Sequence, residues 1–110
     1  MTEERESLFK IIEGVSNINR RVYEFKNTYS NDVQQLYERL VYINGLEQGI
    51  MRNLEDEADY WNLGKDVKDI KEQINELLEY KNNSVIELIS KDLMNINSEI
   101  DNYLRLIEKY

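Results

Sequence analysis

The sequence predicts an all-α protein, on three observations. Apolar residues recur at helical spacing from one end of the 110-residue chain to the other. No run alternates apolar and polar residues between the Gly and Pro punctuation that strands need, so no sheet is expected. The chain has no Pro and only four Gly, so little interrupts a helix. The expected architecture is a single domain over residues 1–110: a coiled-coil-like antiparallel bundle of three to five helices, or a long helical hairpin.

The first segment carries Leu8, Ile11, Val15, Ile18, Val22, Phe25 and Tyr29, whose alternating steps of three and four make a heptad seam. The pattern then takes a second step of four to Val33 and resumes through Leu36, Leu40 and Ile43. Such a step marks a stutter or a break near residues 28–32, and Asn31 followed by Gln34 supplies capping residues for a new helix there. One helix over about residues 3–43 and two helices meeting near residue 30 are both consistent with it. Asn44-Gly45 reads as a helix end, Gly being the residue that takes a left-handed stop without penalty, and a second stripe follows through Leu46, Ile50, Leu54 and Trp61.

Asn62-Leu63-Gly64 repeats that logic, with Asp66 placed as an N-cap before Val67, Ile70, Ile74, Leu77 and Leu78. Asn82 and Asn83 close this helix, and Ser84 to Glu87 matches a capping box in which hydroxyl and carboxylate satisfy two orphan amides. The last segment runs through Ile86, Ile89, Leu93, Ile96, Ile100, Tyr103, Ile107 and Tyr110. Pairing the first and last segments antiparallel brings the ends of the chain together, with the middle pieces alongside. Seams this long on a small chain also favour covering by a second copy or a helical partner.

Composition removes several kinds of chemistry. There is no His and no Cys, so the chain offers no imidazole base, no Ser-His or Cys-His nucleophile pair, no thiolate zinc site and no disulfide. A di-iron carboxylate bundle, which takes Glu-x-x-His motifs, is excluded with them. Acidic residues outnumber basic ones by 22 to 14, for a formal charge of −8. That balance argues against binding nucleic acid or an anionic membrane, both of which need basic surface. Twelve Ile, twelve Leu and six Val give a composition too rich in core residues for disorder. The acidic opening, Met1 to Glu6, lacks the apolar core of a signal peptide, and no apolar run is long enough for a membrane span. The expected location is cytoplasmic, with export by a signal-peptide-independent route as the alternative.

Carboxylates are the one abundant reactive group. The densest cluster is Glu55, Asp56, Glu57 and Asp59, and Asp66 with Asp69 and Glu76 with Glu79 have the i, i+3 spacing that puts two carboxylates on one helix face. Hard cations take such oxygens, but interleaved Lys65, Lys68, Lys71 and Lys81 read these positions as a solvated face, so no metal and no cofactor is expected. All-α nucleotide pyrophosphohydrolases pair Glu-x-x-Glu with Glu-x-x-Asp motifs; Glu3 with Glu6 and Glu76 with Glu79 resemble the first motif, at the wrong separation and without the second. Tyr60 and Trp61 form an aromatic pair next to the acidic cluster, of the kind that anchors protein interfaces; Trp61 also continues the Leu54 stripe at +7, which gives it a core reading. The other tyrosines fall at seam edges, apolar in body and wet at the tip. Gly45 and Gly49 read as helix-end residues.

Trp61-Asn62-Leu63-Gly64, in an acidic, cysteine-free helical chain of this length, resembles the central turn of the small WXG-type proteins of type VII secretion and the helical partners of LXG-type toxins. The spacing is Trp-x-x-Gly rather than Trp-x-Gly, and no Tyr is followed four residues later by Asp or Glu, as the export signal of that pathway requires. The resemblance implies a role in pairing with, and chaperoning, a helical targeting domain.

The functional expectation is a non-enzymatic interaction module, a partner, adaptor or chaperone-like protein that packs its helices against another protein or itself. On this reading Glu55, Asp56, Glu57, Asp59, Tyr60 and Trp61 bind the partner, the acidic group orienting a basic surface. An acidic inhibitor or immunity-type protein that blocks a basic target, phage-encoded ones included, and a self-assembling scaffold are the alternatives.

Overall fold

A computed structural model of the chain describes residues 3–55 and 60–108, with the side chains of 55 and 60–62 outside that description. Four helices account for nearly all of it: α1 (Glu3–Phe25), α2 (Ser30–Glu55), α3 (Tyr60–Leu78) and α4 (Ser84–Ile107). No strand occurs among the described residues.

Side-chain contacts fix the direction of each helix pair. Ser7 Oγ donates to the carbonyl of Glu99 at 3.3 Å, and Arg21 pairs with Asp92, so α1 and α4 run antiparallel. Ser16 meets Glu47 and Asn19 meets Asn44 between α1 and α2. Arg39 of α2 reaches Gln73 and Glu76 of α3 while Gly49 lies against Asp66, and Lys71 and Asn75 of α3 reach Asp101 and Asn97 of α4. Every neighbouring pair is therefore antiparallel, and the helices close a ring in the order α1, α2, α3, α4. The most extensive packing joins α1 to α4, the two ends of the chain. The bundle measures 44 × 23 × 19 Å.

The seams read from the sequence face its centre. Leu8, Ile11, Val15, Ile18 and Val22 of α1 meet Ile89, Leu93, Ile96, Ile100 and Tyr103 of α4, all buried. Each such aliphatic side chain contributes about 1.5–3 kcal/mol when taken out of water. Gly14 allows the close approach: a Cβ there would lie 2.7 Å from Ile96 Cγ1.

Two expected turns are helix instead. Asn44-Gly45 lies within α2, because the buried face runs Leu36, Leu40, Ile43, Glu47, Ile50, Leu54 in unbroken steps of four and three. Glu47 occupies one seam position, so the stripe looked interrupted. Asn62-Leu63-Gly64 lies within α3; Leu63 starts the buried seam, and a Cβ on Gly64 would come within 3.2 Å of Ile107 Cδ1. Gly64 serves contact with α4 rather than a chain reversal. Asp66, expected as a cap, is an interior residue of that helix, and Gly49, like Gly45, is interior to α2.

The break near residue 30 is real. The chain reverses between Phe25 and Ser30, with Tyr29 N–H bonded to Phe25 O at 2.8 Å and the two rings edge to face at 6.1 Å. At the same end of the bundle, Asn82 takes a left-handed φ of 59° and Asn83 caps α4. The cap sits one residue before the Ser84 position that the capping box predicts. Asn83 Oδ1 accepts from Val85 N and Ile86 N at 3.0 and 3.2 Å. Its Nδ2 donates to Asp32 O at 3.1 Å and Gln35 Oε1 at 2.8 Å, and the Ser84 N–H donates to Asp32 Oδ2 at 3.0 Å. A serine hydroxyl has too few groups to cap one helix and bind a second in this way.

Loss of a cap costs about 1 kcal/mol and each partly buried tie to α2 about as much again. Asn83→Ala is expected to lower the thermal midpoint by roughly 10 °C. Gly14→Ala is expected to destabilise by about 1 kcal/mol, because overpacking against Ile96 outweighs the helix propensity gained. A thermal melt of Asn83→Ala and a denaturant titration of Gly14→Ala measure these effects; a Gly14→Ala protein more stable than wild type would show that α1 and α4 can separate without loss.

Candidate protein-interaction face

Eight large apolar side chains remain exposed among the described residues, and they are unevenly placed. Leu88 and Met94 stand singly on α4, which is ordinary for a soluble surface, and Tyr42 lies on the α3 side of α2. The other five, Phe9, Tyr23, Tyr37, Val41 and Met51, border the groove between α1 and α2, with exposures from 40% for Phe9 to 69% for Tyr23. Helical spacing puts them there: Phe9 and Tyr23 each lie seven residues from Ser16, and Tyr37 and Met51 each lie seven from Asn44, and seven residues are close to two full turns.

The groove holds two depressions separated by a polar layer. One, of about 480 Å³, is floored by Val22, Val33 and Leu40 and walled by Tyr23, Tyr37 and Val41. The other, of about 530 Å³, is lined by Arg5, Phe9, Ile12, Met51 and Leu54. Between them Ser16 Oγ donates to Glu47 Oε1 at 2.7 Å and Asn19 Nδ2 donates to Asn44 Oδ1 at 3.2 Å. Cations cover the ring faces at both ends, with the Arg5 guanidinium 5.9 Å from the Phe9 centroid and the Lys26 ammonium 4.7 Å from that of Tyr23.

Glu47 is the unusual group here. It is 5% exposed; burial pushes its carboxyl above the usual carboxylate range, and the Ser16 hydroxyl pulls it part of the way back. Asp66 is also raised, by burial and by Asp69, against the opposing pull of Lys65. It belongs to the α2–α3 contact, where its carboxylate lies over Gly49. The cleft between α1 and α4, by contrast, is crossed by the Arg21–Asp92 pair and by a hydrogen bond of 3.0 Å from Arg21 Nη2 to Leu88 O.

Of the residues expected to bind a partner, Asp56, Glu57 and Asp59 lie outside the described residues, as do the side chains of Glu55, Tyr60 and Trp61. Glu55 ends α2 and Tyr60 and Trp61 begin α3. The α1–α2 groove was not singled out from the sequence. Its signal was the pair of heptads Phe9, Ser16, Tyr23 and Tyr37, Asn44, Met51, visible once each helix is known to have a full apolar face of its own elsewhere. Among the described residues no three acidic side chains gather closely enough to share a metal ion, and Glu76 is engaged by Arg39. No helix among them is long and apolar enough to cross a membrane. Comparison with protein-family models, curated proteins and solved structures gives no match.

Because the folded protein holds the Glu47 proton more tightly than the unfolded chain, the ionised carboxylate costs stability at neutral pH. That cost disappears as pH falls through the raised folded value to below the ordinary carboxylate range. Glu47→Gln keeps an acceptor for Ser16 and is expected to be about 1 kcal/mol more stable than wild type at neutral pH. The gap should close on acidification to pH of about 4. Urea titrations of both proteins at the two pH values test this, and a pH-independent gap would show that the carboxylate does not titrate as a buried group.

Proposed function

We propose that the protein is a non-enzymatic helical interaction module of the cytoplasm that uses the α1–α2 face to pack against a helical surface of another protein or of a second copy. The observation that carries this reading is the concentration, on the α1–α2 face, of five of the eight large apolar side chains exposed among the described residues. A docked helix fills both depressions with apolar side chains at heptad spacing, removing Phe9, Tyr23, Tyr37, Val41 and Met51 from water. Ser16, Asn19 and Asn44, which reach the surface of the polar layer, then favour a polar residue at the middle of the partner and penalise an apolar one, which sets register. The chaperone-like role implied by the resemblance at Trp61 to Gly64 falls within this proposal.

The test is retention of a partner by the tagged chain expressed in its native host, compared with Tyr37→Asp and Val41→Asp. Both substitutions lie on solvent-exposed positions of α2, so circular dichroism and thermal midpoint should stay close to wild type. A protein retained at fixed stoichiometry by wild type is expected to be lost by at least tenfold in each variant, since a charge in a buried interface costs several kcal/mol. Equal retention by all three proteins, or by none, rejects the face as a binding surface.

A further inference from the structure

We infer that the occupant of the α1–α2 face is a second copy of the same chain, related by a two-fold axis that crosses the middle of the face, so that α1 packs antiparallel on α1 and α2 on α2. This inference rests on the interaction reading above and names its partner.

The outward stripe of α1 is Phe9, Glu13, Ser16, Arg20, Tyr23, all exposed and spaced four, three, four, three. Read in the opposite direction it places an aromatic against an aromatic and a base against an acid. With Ser16 near the axis, Phe9 meets the second copy's Tyr23, and Glu13 meets its Arg20. In the free chain Arg20 donates to Asn17 at 2.7 Å, both at the edge of the α1–α4 cleft; a rotamer change at this exposed position turns the guanidinium towards the second copy's Glu13.

The stripe on α2 has the same property. Glu38, Val41, Gly45, Gln48 and Arg52 are exposed and spaced three, four, three, four. With Gly45 near the axis, Glu38 meets the second copy's Arg52 and Val41 meets its Gln48. The two centres are compatible, because Ser16 is bonded to Glu47, only two residues along α2 from Gly45. Both charge matches therefore arise from one rotation, and each occurs twice in the dimer, as an isologous interface demands.

Gly45 supports the same arrangement independently. At Gly14, Gly49 and Gly64 a Cβ would meet a neighbour within 3.3 Å, whereas at Gly45 nothing lies within 4 Å. An interior helical glycine weakens its helix relative to alanine, and nothing among the described residues accounts for it. At the two-fold axis it lets two α2 helices approach more closely than side chains permit. The area is sufficient as well. A face of a bundle 44 Å long and 23 Å across offers on the order of 800 Å², the share that each partner brings to a standard interface.

Sedimentation equilibrium on the full chain, from low micromolar to hundreds of micromolar, is expected to show a monomer–dimer equilibrium. Arg20→Glu sets like charges together twice and should weaken the dimer roughly tenfold or more, while Glu13→Arg combined with Arg20→Glu should restore it. Since the chain has no cysteine, the double variant Val41→Cys with Gln48→Cys, whose positions face each other across the axis, should cross-link to a covalent dimer under mild oxidation, and Lys91→Cys, exposed on α4, should not. Circular dichroism checks that each variant remains folded. A wild-type monomer throughout the range overturns the inference, as does a dimer indifferent to the charge exchange or one in which the Val41→Cys, Gln48→Cys double variant fails to cross-link. If the monomer nevertheless retains a different protein that Val41→Asp loses, the interaction reading stands and only the second copy is rejected; if it retains nothing, both fall.

Discussion

The contact of Ile96 with the bare backbone of Gly14 is the constraint around which the bundle is arranged. A Cβ at Gly14 would stand 2.7 Å from Ile96 Cγ1, so α1 and α4 sit closer than two helices with ordinary side chains between them. The contact joins residues 82 apart in a chain of 110, and closing so long a loop is entropically costly before anything is gained. Continuous burial repays it. From Leu8 to Val22 and from Ile89 to Tyr103 every seam position is withdrawn from water. With the two ends of the chain fixed on each other, α2 and α3 complete the ring, and the Asn83 cap ties their turn-bearing end together by binding both α4 and α2.

That arrangement is asymmetric, and the asymmetry produces the candidate surface. α1 packs more extensively on α4 than on α2. On the α2 side the layer at mid-height is polar, Ser16 with Glu47 and Asn19 with Asn44, and the apolar residues to either side of it stay partly in water. A carboxylate in a seam position is a poor choice for stability alone, since burial disfavours its charged form and one hydroxyl compensates only in part. Polar groups kept at such positions are best attested as devices that fix register or partner.

How far the sequence discloses this structure depends on what each signal encodes. The all-α class is carried by the heptad steps themselves, which report the face a residue presents; the same steps admit one helix or two near residue 30, and a hairpin as well as the antiparallel pairing of the first and last segments, because a repeat does not say which seam meets which. Glycine misleads because it has several uses. Gly45 and Gly64 resemble helix stops, yet both are helical: Gly64 admits Ile107, and that contact lies more than forty residues away in sequence, where local reading has no access. Glu47 conceals the continuity of α2 because a charged residue in a seam is indistinguishable from a break until the other seam positions are seen to be buried around it. The α1–α2 groove is hidden for a related reason. Phe9, Tyr23, Tyr37 and Met51 can be recognised as a second apolar face only after the first has been assigned to the core.

Apolar exposure, the polar layer and Gly45 each run against the stability of an isolated bundle. Exposed aromatics forgo burial, a buried carboxylate resists its own ionisation, and an interior glycine weakens its helix. A sequence shaped only by folding has no reason to collect these three costs between the same two helices, beside an apolar core that runs along α1 from Leu8 to Val22 and along α4 from Val85 to Tyr103. Their coincidence is accounted for together if the face is completed by another surface. Burial then rewards the aromatics, the polar layer selects the register, and the missing side chain at Gly45 becomes the space that a second helix occupies. The free bundle is on this argument the less stable of two states, and the free energy withheld from its folding is recovered on association.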